Sequence, residues 1–326
     1  MEIREIGEWK VIDTILNLIN KSEDVLLPYG DDAISLKIPK NLKLVINVDM
    51  LVGETDILPG MTYEQIGKKV VVMCVSDIVA KGAKPLGFLT SIGLRRDMKL
   101  KDVEEIYKGI NHTIRSYGAY ILGGDTNETN DLIIDGVAIG VAKNVISRCN
   151  AKEGEIVAVT GLFGNTAAGF KILLNGLDAP KNIKEKILID VYEPKAYVKE
   201  GCILADNNLV SASIDSSDGL ALSLHEIAGR SNVGIEINSL PITSEAATLA
   251  EEAGLDPFEL VFYGGEEYIL VVTIKKEKLN EAINKIEKIG GKLIIIGKTT
   301  RDYGKIIYRE GRKERIIEKK GWQHFV

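Results

Sequence analysis

The stretch Tyr63-Glu-Gln-Ile-Gly-Lys-Lys-Val-Val-Val-Met-Cys-Val-Ser-Asp-Ile-Val-Ala-Lys-Gly-Ala-Lys-Pro85 decides how the rest of the chain is read. It predicts a long helix over 63–81, with Gly82 placed as a C-terminal cap and Pro85 just beyond it. Its longest apolar run, 70–75, stops at Ser76-Asp77, far short of the ~20 residues that a bilayer span needs. Asp77 lies inside the helix among Val and Ala residues. Aspartate is a poor helix former, mid-helix capping is not open to it, and a carboxylate on an apolar helix needs a partner.

Working outward, helical and strand patterns interleave, which predicts an α/β or α+β protein. Before the long helix come a helix over 8–20, with Val11, Ile15, Leu16 and Ile19 at helical spacing, and strands over 32–38 and 42–48, the second ending in Asp49. After it come a helix over 102–117 closed by Gly118, a strand over 119–122, a turn at Gly123-Gly124 and a strand over 132–141. A second unit then opens with a strand over 156–159, followed by Gly161-Leu162-Phe163-Gly164 and a helix to Leu174. The polar stretch 178–195 reads as a surface connection with a short helix. A strand over 210–214 ends in Asp215, and a helix over 220–229 follows. The remainder alternates: strand 233–237, helix 243–253, strand 268–273, helix 275–289, strands 292–297 and 304–309. The expected domains are 1–147 and 148–326.

Composition narrows the chemistry. The 326 residues carry 41 Lys+Arg against 47 Asp+Glu, a net charge of −6, opposite to the bias of a protein that reads phosphates on a basic face. No nucleic-acid or membrane partner is expected, and the charged start Met1-Glu-Ile-Arg-Glu lacks the apolar core of a signal peptide. A cytoplasmic protein is the expectation. The three cysteines, Cys74, Cys149 and Cys202, never fall in a C-x-x-C spacing, and the three histidines are never four apart, so neither disulfide framework, zinc knuckle nor His-rich metal site is expected. Carboxylates are the remaining candidates.

Their positions carry the functional signal. Asp31 and Asp32 follow Gly30, Asp49 ends a strand, Asp125 follows Gly123-Gly124, Asp215 and Asp218 frame Ser216-Ser217 at a strand end, and Glu266-Glu267 follow Gly264-Gly265. Glycine-flanked strand ends are where α/β proteins place ligands. Converging carboxylates repel, and hard divalent cations such as Mg²⁺, which usually bind together with substrate phosphates, remove that repulsion. Phosphoryl transfer by positioning and charge neutralisation fits a chain with few candidate bases. Each Asp taken singly is equally a turn residue or cap. Two other features are weighed: Gly291 to Thr299 mimics a P-loop but has five residues between its glycines where four are required. Gly161 to Gly169 opens a helix whose N–H groups could face an anion, but close helix packing explains its glycines equally.

The motifs together resemble the thiamine-monophosphate kinases, within the superfamily that includes aminoimidazole ribonucleotide synthetase. The resemblance runs through Ile6-Gly7-Glu8, Gly30-Asp31-Asp32-Ala33, Val48-Asp49-Met50, Ser76-Asp77-Ile78, Gly123-Gly124-Asp125-Thr126, Val159-Thr160-Gly161, Asp215-Ser216-Ser217-Asp218-Gly219, Gly264-Gly265-Glu266-Glu267 and the ending Gly321-Trp322-Gln323-His324-Phe325. It implies an α+β sandwich, with an N-terminal domain whose sheet forms half a barrel and a C-terminal α/β domain, usually as a homodimer. It implies Asp32, Asp49, Asp77, Asp125, Asp215 and Asp218 as ligands of several Mg²⁺ ions and Asp31 as an accessory acid. Gly124, Asp125, Arg148 and Ser217 would contact ATP, while Asp56, Glu266 and Trp322 would face the acceptor, Trp322 as a flat surface for an aromatic ring. The reaction implied is direct transfer of the ATP γ-phosphoryl group to thiamine monophosphate, with no catalytic base.

Several positions depart from the family pattern: Val48 replaces a Thr, Thr55-Asp56-Ile57 a His-aromatic pair, Asn127-Glu128 an Arg, Ala196-Tyr197 a Pro-Arg, and Glu267 an Asp. Most fall on the acceptor side. The other readings are an ATP-dependent enzyme of the same superfamily with a different phosphorylated metabolite, and a non-catalytic nucleotide-binding protein. A selenophosphate synthetase would need a reactive Cys near the start, and none precedes Cys74; a hydrogenase-maturation dehydratase would end in Cys, whereas this chain ends in Val326.

Overall fold

Strands that alternate buried and half-exposed side chains build a sheet with two unlike faces. The computed structural model describes residues 3–18 and 22–323; His324 and Phe325 of the terminal motif and Ile19 of the first helix lie outside them. The first half runs α1 (Ile3–Leu18), β1 (Ile34–Ile38), β2 (Leu42–Val52), α2 (Gly53–Asp56), α3 (Tyr63–Ala80), β3 (Lys84–Leu94), α4 (Leu100–Ser116), β4 (Tyr120–Glu128) and β5 (Ile133–Ala142). Its strands form a sheet of order β1-β2-β5-β3-β4, antiparallel except for β3 beside β4.

The second half runs β6 (Ile156–Val159), α5 (Asn165–Leu174), α6 (Lys181–Tyr192), α7 (Val198–Asp206), β7 (Ala212–Ile214), α8 (Leu220–Ser231), β8 (Gly234–Ile237), α9 (Ser244–Ala253), α10 (Pro257–Phe262), β9 (Val271–Ile274), α11 (Leu279–Glu287), β10 (Ile294–Thr300), β11 (Ile306–Glu310) and β12 (Lys313–Ile316). Its sheet has the order β12-β11-β8-β10-β6-β9-β7.

The quoted helix is the centre of the molecule. Thr62 and Gln65 close a capping box at its start, and Gly82 follows its end with φ +80°. Val70, Val71, Cys74, Val75 and Ile78 of α3 share one buried cluster with Val45, Phe88 and Ile134 of the first sheet, Ile106 and Ile110 of α4, and Leu270, Val272 and Ile286 of the second half. The helix is thus clasped between the halves, so a side chain on it can meet residues of both. The other face of the first sheet is uncovered, with Val48 65% and Met50 52% exposed. Among the described residues no helix is long and apolar enough to cross a membrane.

Two expectations need correction. The glycine pair Gly123-Gly124 is not a turn: β4 runs through it to Glu128, and a Cβ on Gly124 would stand 2.2 Å from the Thr90 carbonyl oxygen, so its bareness allows close strand approach. Asp49 does not end its strand, since β2 continues to Val52. α2, β3, α7, α10 and β12 had no counterpart in the expected elements. The interior strand β3 was hidden by Pro85 and Gly87, which sit at a register shift between β3 and β5.

Candidate active site

The acids meet where the two halves touch. Asp32 comes from the turn before β1, Asp77 from α3 and Asp215 from the end of β7, and their carboxylate oxygens lie within 4.8 Å of one another. Burial first, then the charges of Asp215, Asp218 and Asp56, push the Asp49 carboxyl up to about 7. Asp218 is pushed up to about 7 by burial and by Asp215, Glu8 and Asp32, and Asp215 to about 6 by burial and Asp32. Asp77 is raised well above its usual range by burial, Asp215, Asp49 and Asp32. Asp32, Asp49, Asp77, Asp215 and Asp218 therefore share one field, and Glu8 of the Ile6-Gly7-Glu8 motif borders it. At about 5 Å and an effective dielectric near 20, each like-charged pair costs on the order of 3 kcal/mol.

Neighbouring side chains fix where these carboxylates point. Asn47 Nδ2 donates to the Asp32 carbonyl at 3.1 Å and also to Asp77 Oδ2, and Ser76 Oγ donates to Asp215 Oδ2. Two cations back the cluster. Lys81 Nζ, on a fully buried side chain, lies 2.7 Å from both Asp31 Oδ1 and Asp32 Oδ2 and 2.8 Å from the Ser213 carbonyl. Arg148 pairs with Asp31, Asp32 and Glu226. Burial alone would raise the Asp31 carboxyl, but Lys81 and Arg148 hold it down at about 2. Asp31 is consequently an anchored anion.

Two of the expected positions lie apart. Asp125 is exposed on the edge strand β4, in register with Ser91 and, through it, with Asp135 and Met50. That row alternates with the row of Asp49, so it points to the uncovered face, and three strand spacings put it ~14 Å across the sheet. Within this chain it does not join the other acids. Trp322 stands at the opposite side of the cluster, its N–H donating to the Asp218 carbonyl at 3.1 Å. A Cβ on Gly321 would sit 2.2 Å from that same carbonyl, which explains the glycine before the tryptophan. Trp322, Phe170, Tyr263, Leu58 and Glu266 line a cavity of about 340 Å³.

Glu266 links this cavity to the acids. Its N–H donates to the Ser217 carbonyl, and the Tyr268 N–H to the Ser216 carbonyl at 2.9 Å. Both residues hold left-handed backbone, φ +64° and +52°, a strain of roughly 1–3 kcal/mol each that is typical of functional loops. Asp56 accepts the Val52 N–H at 2.7 Å. Glu267 accepts the Gly164 N–H at 2.6 Å at the start of α5, and burial pushes its carboxyl up to about 8. The helix start that could have faced an outside anion is thus met by the chain's own Glu267 side chain. Sequence reasoning passed over Asn47, Lys69, Ser76 and Lys81; the one local sign for the lysines is that Lys69 stands within an apolar helix and Lys81 at its end, where a charge needs a partner.

Two mixed α/β halves clasping a carboxylate pocket define the class. Residues 30–142 match the family model described as AIR synthase related protein, N-terminal domain, and residues 152–309 match AIR synthase related protein, C-terminal domain. The thiamine-monophosphate kinase of Pyrococcus horikoshii is 40% identical over 297 residues, 90% of each chain, and that of Nitrosopumilus maritimus is 33% identical over 91% of this chain and 93% of its own. A solved structure described as AaThiL complexed with AMPPCP and TMP superposes with a TM-score of 0.87 at 28% identity, covering 99% of both chains. The chain belongs to the thiamine-monophosphate kinase family.

Proposed function

We propose that this protein transfers the γ-phosphoryl group of ATP to the phosphate of thiamine monophosphate, giving ADP and thiamine diphosphate. The observation that carries the reading is the convergence of Asp32, Asp77 and Asp215 within 4.8 Å, beside a cavity walled by Trp322. Its similarity to a structure holding AMPPCP and TMP supports both substrates. One P–O bond to the ADP leaving group breaks and one to an acceptor phosphate oxygen forms. The acceptor is already ionised, so no side chain has to remove a proton.

Mg²⁺ fits the donors present. All are hard oxygens, with no His or Cys among them, and the buried Asn47 Oδ1 and Ser216 Oγ have no hydrogen-bond partner among the described residues. When bound, the metal neutralises the phosphate charge that develops in transfer. We assign Asp32, Asp49, Asp77, Asp215 and Asp218 to hold it. Lys81, Arg148, Asn47 and Ser76 orient these carboxylates, with Arg148 and Ser217 beside the nucleotide, and Trp322, Glu266 and Asp56 border the acceptor. In this reading residues 1–147 form the metal- and ATP-binding and dimerisation domain, to which the C-terminal α/β domain, 148–326, adds Asp215, Asp218, Arg148 and Ser217.

The uncovered face of the first sheet supports a homodimer. Val48, Met50, Leu86 and Leu122 are exposed there or at its edge, and grouped exposed apolar side chains mark protein–protein contact surfaces. A second copy on that face would lie against Asp125, which gives this residue its metal role, while Gly124, in the row of Asp49, contacts the nucleotide from the acid side. A cytoplasmic site of action suits an ATP consumer with three free cysteines.

The test is purified protein with ATP and thiamine monophosphate, with and without Mg²⁺, following ADP release and the diphosphate product. Turnover that needs both Mg²⁺ and this acceptor is expected. ADP release only with another phosphorylated metabolite overturns the assignment.

A further inference from the structure

Lys69 lies two helical turns before Asp77 on α3, and its side chain is 1% exposed. Its ammonium is 2.7 Å from the Asp56 carbonyl oxygen and 2.6 Å from Glu266 Oε1. Those acceptors come from opposite halves of the chain. Asp56 closes α2, and its neighbours Thr55 and Leu58 line the cavity that holds Trp322. Glu266 lines the same cavity from the other half, in the loop stitched to Ser216 and Ser217. The lysine end of the pair is sealed, whereas the Glu266 side chain keeps 29% of its exposure and lines the cavity. One buried cation therefore joins the two walls of the acceptor cavity and aims a carboxylate into it.

We propose that Lys69 is a positioning residue for the acceptor: it pins Glu266 and the α2 turn together, so that a carboxylate of fixed place meets the cationic ring of the incoming phosphate ester. The inference rests on the reading of this cavity as the acceptor site. Lys69 and Asp56 lie outside the residues assigned to the nucleotide, so the loss of Lys69 is expected to act mainly on the acceptor. A neutral side chain of similar length leaves Glu266 in place along the backbone but frees its carboxylate. Arginine, with donors enough for two acceptors, restores the link in part.

Steady-state kinetics of Lys69→Met, Lys69→Arg, Glu266→Gln and the double variant Lys69→Met/Glu266→Gln test this, varying thiamine monophosphate and ATP separately. Lys69→Met is expected to raise KM for thiamine monophosphate about tenfold or more, with KM for ATP within about twofold and kcat less affected. Lys69→Arg should recover part of the loss, and the double variant should be no worse than Glu266→Gln alone, as for residues acting as one unit. An unchanged acceptor KM in Lys69→Met, or an equal rise in both KM values, overturns the proposal. If Lys69→Met does not fold, Glu266→Gln decides, and a rise in its acceptor KM that is not selective overturns it. Wild-type protein inactive with thiamine monophosphate overturns the cavity reading itself, whereas wild-type turnover with flat variants overturns only the role of Lys69.

Discussion

Asp77 shows why a single side chain can be informative. A carboxylate inside a buried helix has neither cap nor water to satisfy it, and here it meets Asn47, Asp32 and Asp215 across the two halves. Asp77→Asn keeps the shape and the hydrogen bond but removes one charge from a crowded field. Its kcat is expected to fall about a hundredfold or more, while the melting temperature without metal stays level or rises; wild-type turnover would exclude Asp77 as a ligand. Lys81 is the complement. Lys81→Met leaves Asp31 and Asp32 buried with half their compensation, a loss of roughly 3–5 kcal/mol that urea unfolding would register, and an unchanged midpoint would contradict the pairing. The acids were legible because glycine turns and a mid-helix position are unusual places for them. The lysines and Asn47 were harder to read, because Lys on a helix and Asn within a strand pass as ordinary solvated positions until the partner from elsewhere in the chain is seen.

Between elements, contact distance is set by what side chains are absent. α3 and α4 meet at Gly67 and Gly109: a Cβ on Gly67 would lie 2.0 Å from the Ile106 carbonyl oxygen, and one on Gly109 would lie 1.9 Å from that of Glu64. Both obstacles are backbone, so the helices must part. Gly67→Ala is expected to destabilise the protein by about 1–3 kcal/mol, read as a lowered denaturation midpoint; a variant as stable as wild type would mean that the helices slide freely. Elements with regular periodicity, such as α3 and β6, could be placed from sequence because local pattern and tertiary burial agree. β3 and the far half of β4 could not. Their Pro85, Gly87, Gly123 and Gly124 carry turn-forming preferences, and only the neighbouring strands, which need close approach there, override them.

At the scale of the molecule the acid pocket makes folding stability depend on pH and on metal together. Asp49 and Asp218 are raised from 3.8 to about 7, Asp215 to about 6, and Glu267 from 4.5 to about 8. Each is a carboxyl that the folded chain keeps protonated over a range where the unfolded chain releases its proton. The native state then binds more protons than the unfolded state between about pH 4 and 8, so stability falls as pH rises through that window. Asp31, lowered to about 2, has the opposite sign but acts only below about pH 4. His225, lowered from 6.5 by burial, adds stability as pH rises toward 6.5 and opposes the trend as a single group against four. The metal-free protein is therefore expected to melt at least about 5 °C lower at pH 8 than at pH 5. Millimolar Mg²⁺ with a non-hydrolysable ATP analogue should erase or reverse the slope, because binding takes the deprotonated carboxylates and strengthens as they form. Calorimetry across this range, with chelator in one series and Mg²⁺ plus analogue in the other, separates the cases. Parallel curves in the two series would mean that the buried acids are not where the metal and nucleotide bind, whatever the rate measurements gave.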